Sequence, residues 1–268
     1  MYFTERYVTL SHGRTRYFDE GMGEPLILLH GVGFTSGGDY FWANIPALAQ
    51  HFRVLAPDFV GWGPGDRLPI EYSFAYLVDF VREFQDALGL SASHLVGHSM
   101  GGWIAALLAY ESPGRVNRLV LVANGGMATR TLPSMTAFQP PSLDDLIREW
   151  SQRSSFDAAT LQALAERDFQ KVARPDALDS YRRILAHMNH PVNRQRYALP
   201  RRLPHIAAPT LILWGEQDPV NDVSLAAEEQ RLLPHATLRL LPAGHFVPTE
   251  VPDAFNQEVI QFLTAQEV

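Results

Sequence analysis

Five residues, Gly97-His98-Ser99-Met100-Gly101, restrict the fold of this chain more than any other stretch. Before them runs Ser93-His94-Leu95-Val96, short and apolar enough for a buried strand. After them runs Gly102-Trp103-Ile104-Ala105-Ala106-Leu107-Leu108-Ala109, which reads as a buried helix. A strand that turns so sharply into a helix forces the serine between them into a strained backbone conformation. Glycines two residues to either side let the two elements approach closely. A serine in that setting has its hydroxyl held exposed above a sheet.

On both sides of this turn, strand and helix patterns alternate. Strands are predicted over Tyr7–Leu10 and Arg16–Asp19, separated by the turn Ser11-His12-Gly13. Further strands are predicted over Pro25–Leu29, Phe52–Pro57, Leu95-Val96, Leu119–Val122, Thr210–Trp214 and Leu238–Leu241. Pro25-Leu26-Ile27-Leu28-Leu29 is a continuous apolar run suited to burial on both faces, and Tyr76–Leu88 has a helical apolar rhythm. The predicted class is α/β, with a mainly parallel eight-stranded sheet flanked by helices. Between about Gly126 and Pro204 the alternation breaks and helix follows helix. Leu143, Leu146, Ile147 and Trp150 share one face, Ser142-Leu143-Asp144-Asp145 reads as a helix start, and Pro175 opens another segment. Residues 126–205 are therefore expected to form a helical lid inserted into a core of residues 1–125 and 206–268.

A serine hydroxyl becomes a nucleophile when a base takes its proton and a partner fixes the tautomer of that base. Among 10 histidines, His245 is favoured, because Pro242-Ala243-Gly244-His245-Phe246 follows a strand on a loop able to reach across the sheet edge. The acid is expected on the loop after the preceding strand, where Trp214-Gly215-Glu216-Gln217-Asp218 makes Asp218 the first choice. Asp222, better placed to cap the following helix, is the fallback, and Glu216 the third choice. The candidate catalytic residues are thus Ser99, Asp218 and His245. An oxyanion formed by attack on a carbonyl needs preorganised donors. The Met100 amide is one, and Val32 on the loop after Leu29 is chosen for the other, with Gly33 next. His30 is expected to bond within that loop. His187 and His190 lack a supporting carboxylate cluster, so no metal and no cofactor are predicted. Trp42, Trp62, Trp103 and Phe246 suit either an apolar pocket or ordinary core packing.

Taken together these residues resemble the α/β-hydrolases over essentially the full length of the chain. The likeness runs through His30-Gly31, Gly97-His98-Ser99-Met100-Gly101-Gly102, Asp218 and Gly244-His245, in the Ser, Asp, His order of that superfamily. More narrowly, the chain is similar to the hydrolases that cleave carbon–carbon bonds in ring meta-cleavage products. That likeness lies in His30-Gly31-Val32-Gly33 with a long loop to Trp42, Ile45-Pro46-Ala47-Leu48, Ala56-Pro57-Asp58-Phe59-Val60-Gly61-Trp62-Gly63, Asp66-Arg67 and Asn124-Gly125-Gly126. The resemblance implies a lid arginine at the acidic, enolic end of the substrate. Arg167, 8 residues before Pro175, holds the matching place, and a guanidinium fork suits a carboxylate. Pairing with nearby acids on the helix surface is its alternative role. The chain departs from that family in having His98 where asparagine is usual and Phe246 where tryptophan is usual. Gly33, His98, Arg167 and Phe246 are the predicted substrate-binding residues.

Composition narrows the partners. The chain has no cysteine, which removes disulfides and a cysteine nucleophile. Its net charge of −7 argues against nucleic acid. Residues 126–205 nonetheless hold 12 Lys or Arg against 8 Asp or Glu, a basic insert over an acidic body that suits an anionic substrate or a solvated arginine-rich face. No basic-then-apolar leader and no membrane-length apolar run is found, so a cytoplasmic protein without membrane partners is expected. The expected partner is a small-molecule substrate, and a homo-oligomer is left open. A carboxylesterase of small or aromatic acyl esters is the favoured activity. A carbon–carbon hydrolase of 2-hydroxy-6-oxo-dienoates is the alternative, and a ligand receptor without turnover is the reading from another class.

Overall fold

A computed structural model of the chain describes residues 3–153 and 157–265. The strands are β1 (Glu5–Leu10), β2 (Gly13–Glu20), β3 (Pro25–Leu29), β4 (Arg53–Pro57), β5 (Ser93–His98), β6 (Val116–Val122), β7 (Thr210–Gly215) and β8 (Ala236–Leu241). They form one eight-stranded sheet in the order β1-β2-β4-β3-β5-β6-β7-β8. Only the β1–β2 and β2–β4 pairs are antiparallel; the pairs from β4 to β8 are parallel. Along the inner strands, side chains alternate between two cores. Ile27, Leu29, Leu119 and Leu121 point into one core, and Leu26, Leu28, Val120 and Val122 into the other. Because both faces are covered, these strands read as unbroken apolar runs rather than as polar–apolar alternation. The α/β class and the mainly parallel eight-stranded sheet agree with the sequence expectation.

Helices α1 (Ile45–Leu48), α2 (Phe74–Ala87) and α3 (Met100–Glu111) precede β6. Between β6 and β7 come α4 (Pro133–Thr136), α5 (Leu143–Arg153), α6 (Ala158–Val172), α7 (Ala177–Asn189) and α8 (Pro191–Arg196). After β7 come α9 (Ser224–Leu232), α10 (Val247–Glu250) and α11 (Pro252–Thr264). Helix α3 is buried from Met100 through Ala109, which explains its lack of a polar stripe. Helix α5 begins with a reciprocal cap: the Asp145 amide donates to Ser142 Oγ at 3.2 Å, and the Ser142 amide to Asp145 Oδ2 at 3.0 Å. Its apolar face, Leu143, Leu146, Ile147 and Trp150, packs on Ala165 and neighbours of α6. No helix among the described residues is long and apolar enough to cross a membrane.

Charge ties α6 to the rim of the sheet. Lys171 Nζ donates to the Thr35 carbonyl at 2.7 Å and to Asp39 Oδ1 at 2.8 Å, on the loop after β3. Arg167 reaches Asp168 at 2.9 Å and Asp39 at 3.5 Å, while Arg16 grips Asp58 with both prongs at 2.8 and 3.1 Å. Burial opposes ionisation of Asp39, but Lys171, Arg167 and Arg16 outweigh it and hold the carboxyl well below the usual carboxylate range.

Candidate active site

The turn between β5 and α3 has the strained geometry its sequence calls for. Ser99 has φ 54° and ψ −114°, one of two non-glycine residues with positive φ among those described. A Cβ on Gly97 would collide with the Gly101 backbone, and one on Gly101 with the carbonyl oxygen of Leu29. These contacts leave room only for hydrogen at both positions. The Ser99 amide donates to the Val122 carbonyl at 2.9 Å, and the Ser99 carbonyl accepts from Gly125 at 3.0 Å. The strain at Ser99 is thus held in place by bonds to β6 and the loop after it.

Ser99 Oγ lies 3.1 Å from His245 Nε2, and His245 Nδ1 lies 2.8 Å from Asp218 Oδ2. Asp218 is an acceptor with a fully buried side chain, so it selects the Nδ1–H tautomer of His245 and leaves the Nε2 lone pair facing the serine. Asp218 Oδ1 also accepts the amides of Val220 and Asn221 at 2.8 and 2.9 Å, which locks the carboxylate against rotation. Asp222 instead accepts the Ser224 amide at 2.9 Å at the start of α9, and Glu216 is exposed. Of the three acids considered, only Asp218 touches the histidine.

The Ser99 hydroxyl opens into a cavity of about 210 Å³. Val32, Gly33, His98, Met100 and Phe246 line it, as do Trp103, Tyr40 and Met188. Met100 is the first residue of α3, so its amide has no acceptor within the helix and carries the partial positive charge of the helix start. His30 lies beneath this loop, completely buried. Its Nδ1–H donates to the Gly31 carbonyl at 2.8 Å and its Nε2 accepts the Phe59 amide at 3.0 Å. Burial pushes its pKa down to about 4, so it stays neutral and acts as a brace. His98 stacks on Tyr40 with centroids 5.0 Å apart, and its Nε2–H donates to the His245 carbonyl at 2.8 Å.

One predicted substrate residue lies elsewhere. Arg167 is absent from the lining of this cavity; it borders a neighbouring cavity of about 240 Å³ that shares Gly33, Ser36, Tyr40 and Phe246 with the first. Its fork is engaged by Asp168 and Asp39, the pairing that sequence left as its alternative role. Trp42 and Trp62 also lie outside the Ser99 cavity; the Trp62 indole donates to the Gly33 carbonyl at 2.9 Å. His187 of α7 is held at the start of α2, with Nδ1 2.6 Å from Glu71 Oε1 and Nε2 accepting the Phe74 amide at 3.1 Å.

Several contributors escaped the sequence reading. Glu250 accepts the amides of Gly244 and Phe246 at 2.5 and 3.2 Å, clasping the loop that carries His245. Asn221 donates to the Ala123 carbonyl at 2.9 Å and lines the cavity beside Val220. Asn124 donates to Glu229 Oε1 at 2.8 Å, and burial pushes the pKa of that glutamate up to about 8. Arg194 of α8 lines the cavity itself. The Asn124-Gly125-Gly126 stretch was a usable signal for Asn124; nothing local marked Glu250, Glu229 or Arg194.

Comparison with known proteins agrees with this architecture. Residues 24–250 match the family model described as the alpha/beta hydrolase fold. The 2-hydroxy-6-oxononadienedioate/2-hydroxy-6-oxononatrienedioate hydrolase of Paraburkholderia phymatum is 31% identical, covering 97% of this chain and 96% of its own. The 2-hydroxy-6-oxo-6-phenylhexa-2,4-dienoate hydrolase of Burkholderia cepacia is 30% identical over the same shares, 97% and 96%. Among solved structures, a meta-cleavage product hydrolase from Pseudomonas fluorescens IP01 superimposes with a TM-score of 0.82 at 26% identity, covering 96% of this chain and 97% of that one. The chain belongs to the α/β-hydrolase family and is a serine hydrolase.

Proposed function

We propose that this hydrolase cleaves the carbon–carbon bond next to the ketone of 2-hydroxy-6-oxo-dienoates. The observation that carries the reading is the likeness, at 30–31% identity and across 97% of the chain, to enzymes named for that class of substrate. It replaces the carboxylesterase reading that sequence favoured.

Ser99 is the nucleophile, His245 its base and then its acid, and Asp218 the group that orients the imidazole. The enol end of the substrate first ketonises, so that the departing carbon can carry an electron pair as a stabilised enolate. Ser99 Oγ then bonds to the ketone carbon while its proton passes to His245 Nε2. The amides of Val32 and Met100 receive the oxyanion. When the carbon–carbon bond breaks, its electron pair leaves with the enolate carbon, which takes the proton from His245. A water, deprotonated by the same imidazole, releases the acid from the acyl-serine.

Ester hydrolysis is the second reading. It is favoured by the engagement of Arg167 with Asp39 and Asp168, which occupies the arginine that the resemblance assigns to an acidic substrate. Comparing kcat/KM for 2-hydroxy-6-oxo-6-phenylhexa-2,4-dienoate and for p-nitrophenyl butyrate decides between them. A preference for the dienoate is expected; efficient turnover of the ester with none of the dienoate overturns the proposal.

A further inference from the structure

Arg194 is a buried cation with no anion paired to it among the described residues. It is only 5% exposed, and its hydrogen bonds among the described residues run to backbone carbonyls, none to a carboxylate. Its Nη2 donates to the Ala128 carbonyl at 3.1 Å and its Nη1 to the Met188 carbonyl at 3.4 Å, while Nε has no partner among the described residues. Two backbone carbonyls leave most of the five guanidinium donors unsatisfied by charge. The guanidinium carbon sits 5.5 Å from the centre of the ring of Trp103 on α3, the helix that follows Ser99. Burial pulls the group below the ordinary arginine value, and Arg130 adds a like charge rather than relief. Holding a cation in this state is costly unless something negative joins it.

The space it faces is the cavity into which Ser99 opens, otherwise lined on the lid side by Leu132, Met135 and Met188. We infer that Arg194 receives the carboxylate of the substrate, doing from α8 the work that the resemblance assigns to Arg167 on α6. Arg167 is engaged by Asp39 and Asp168, whereas Arg194 lines the cavity and pairs with no carboxylate among the described residues. A substrate with an acid at one end and a ketone at the other would then lie between Arg194 and Ser99. This inference rests on the dienoate reading for the identity of the acid, but not for the presence of an anion site.

The test uses a saturated probe, 6-oxo-6-phenylhexanoate, and its neutral methyl ester, titrated calorimetrically into the full chain carrying Ser99→Ala. The acid is expected to bind roughly 10- to 100-fold more tightly than the ester, as charge-assisted hydrogen bonds imply. Adding Arg194→Met should abolish that preference, and adding Arg167→Met should leave it. If Arg194→Met does not fold, Arg194→Lys should keep part of the preference and Arg194→Gln none. A preference missing from the start, unchanged without Arg194 or lost with Arg167 overturns the assignment. If the preference depends on Arg194 but the intact enzyme cleaves no dienoate, the anion site stands and the carbon–carbon reading falls. If the dienoate is cleaved while the preference ignores Arg194, the reverse holds.

Discussion

Glu229 offers a stability prediction that comes directly from the packing behind the active site. Its side chain is completely buried, one oxygen accepts from Asn124 at 2.8 Å, and the other has no partner among the described residues. Burial raises its pKa from 4.5 to about 8, the Asn124 bond opposing the rise only in part. Between those values the unfolded chain has lost this proton while the folded chain keeps it. The contribution to stability is therefore complete below about pH 4.5, declines as pH rises, and is gone above about pH 8. At about 1.4 kcal/mol per pH unit, the interval amounts to roughly 5 kcal/mol, a large part of the stability of an ordinary domain. Glu229→Gln keeps an acceptor for Asn124 and removes the titration. Urea unfolding of both proteins at about pH 5 and about pH 8.5 isolates the term, because other titrating groups cancel in the comparison. The original chain should lose several kcal/mol more than the variant across that range. A difference between the two proteins that is the same at both pH values would refute the reasoning.

Other consequences are open to simpler measurement. Asp218→Asn should lower kcat on the order of 10⁴-fold by releasing the wrong imidazole tautomer, while Asp222→Asn should change it by less than about threefold; the opposite ranking would move the acid. Glu250→Ala should reduce kcat by roughly tenfold with a smaller change in KM, since it frees the loop that carries His245 while Ser99 and Asp218 keep their places. Asp39→Asn strips counter-charge from Lys171, Arg167 and Arg16 and should cost about 3–5 kcal/mol in urea unfolding. A loss under about 1 kcal/mol would mean that the cluster is solvated rather than structural.

Much of this architecture was legible because it depends on local pattern. Leu26 to Leu29 are apolar in sequence because β3 is covered on both faces, and the glycines around Ser99 are required by contacts a few residues away. Strand β5 ran further than its apolar core suggested, since His98 is a buried polar residue held by a bond to the His245 carbonyl. Charge partnerships were not legible. Arg167 and Arg194 look alike in sequence, yet one meets Asp39 from the loop after β3, while the other meets backbone carbonyls and the Trp103 ring and no carboxylate among the described residues. Which arginine finds an aspartate depends on how helices α6 and α8 are turned against the core. A helix rotated by one residue presents a different side chain to a given surface. The partners of Glu229 and Glu250 likewise come from other elements that only the folded chain brings together.

Cleavage by this site depends above all on one hydroxyl group, that of Ser99, doing the attacking. Steady-state turnover of 2-hydroxy-6-oxo-6-phenylhexa-2,4-dienoate by the Ser99→Ala protein, followed through loss of the dienolate absorbance, tests this most directly. Release of the aromatic acid should fall at least ~10⁴-fold, with the substrate still bound. Release at a rate within about tenfold of the original would contradict the account.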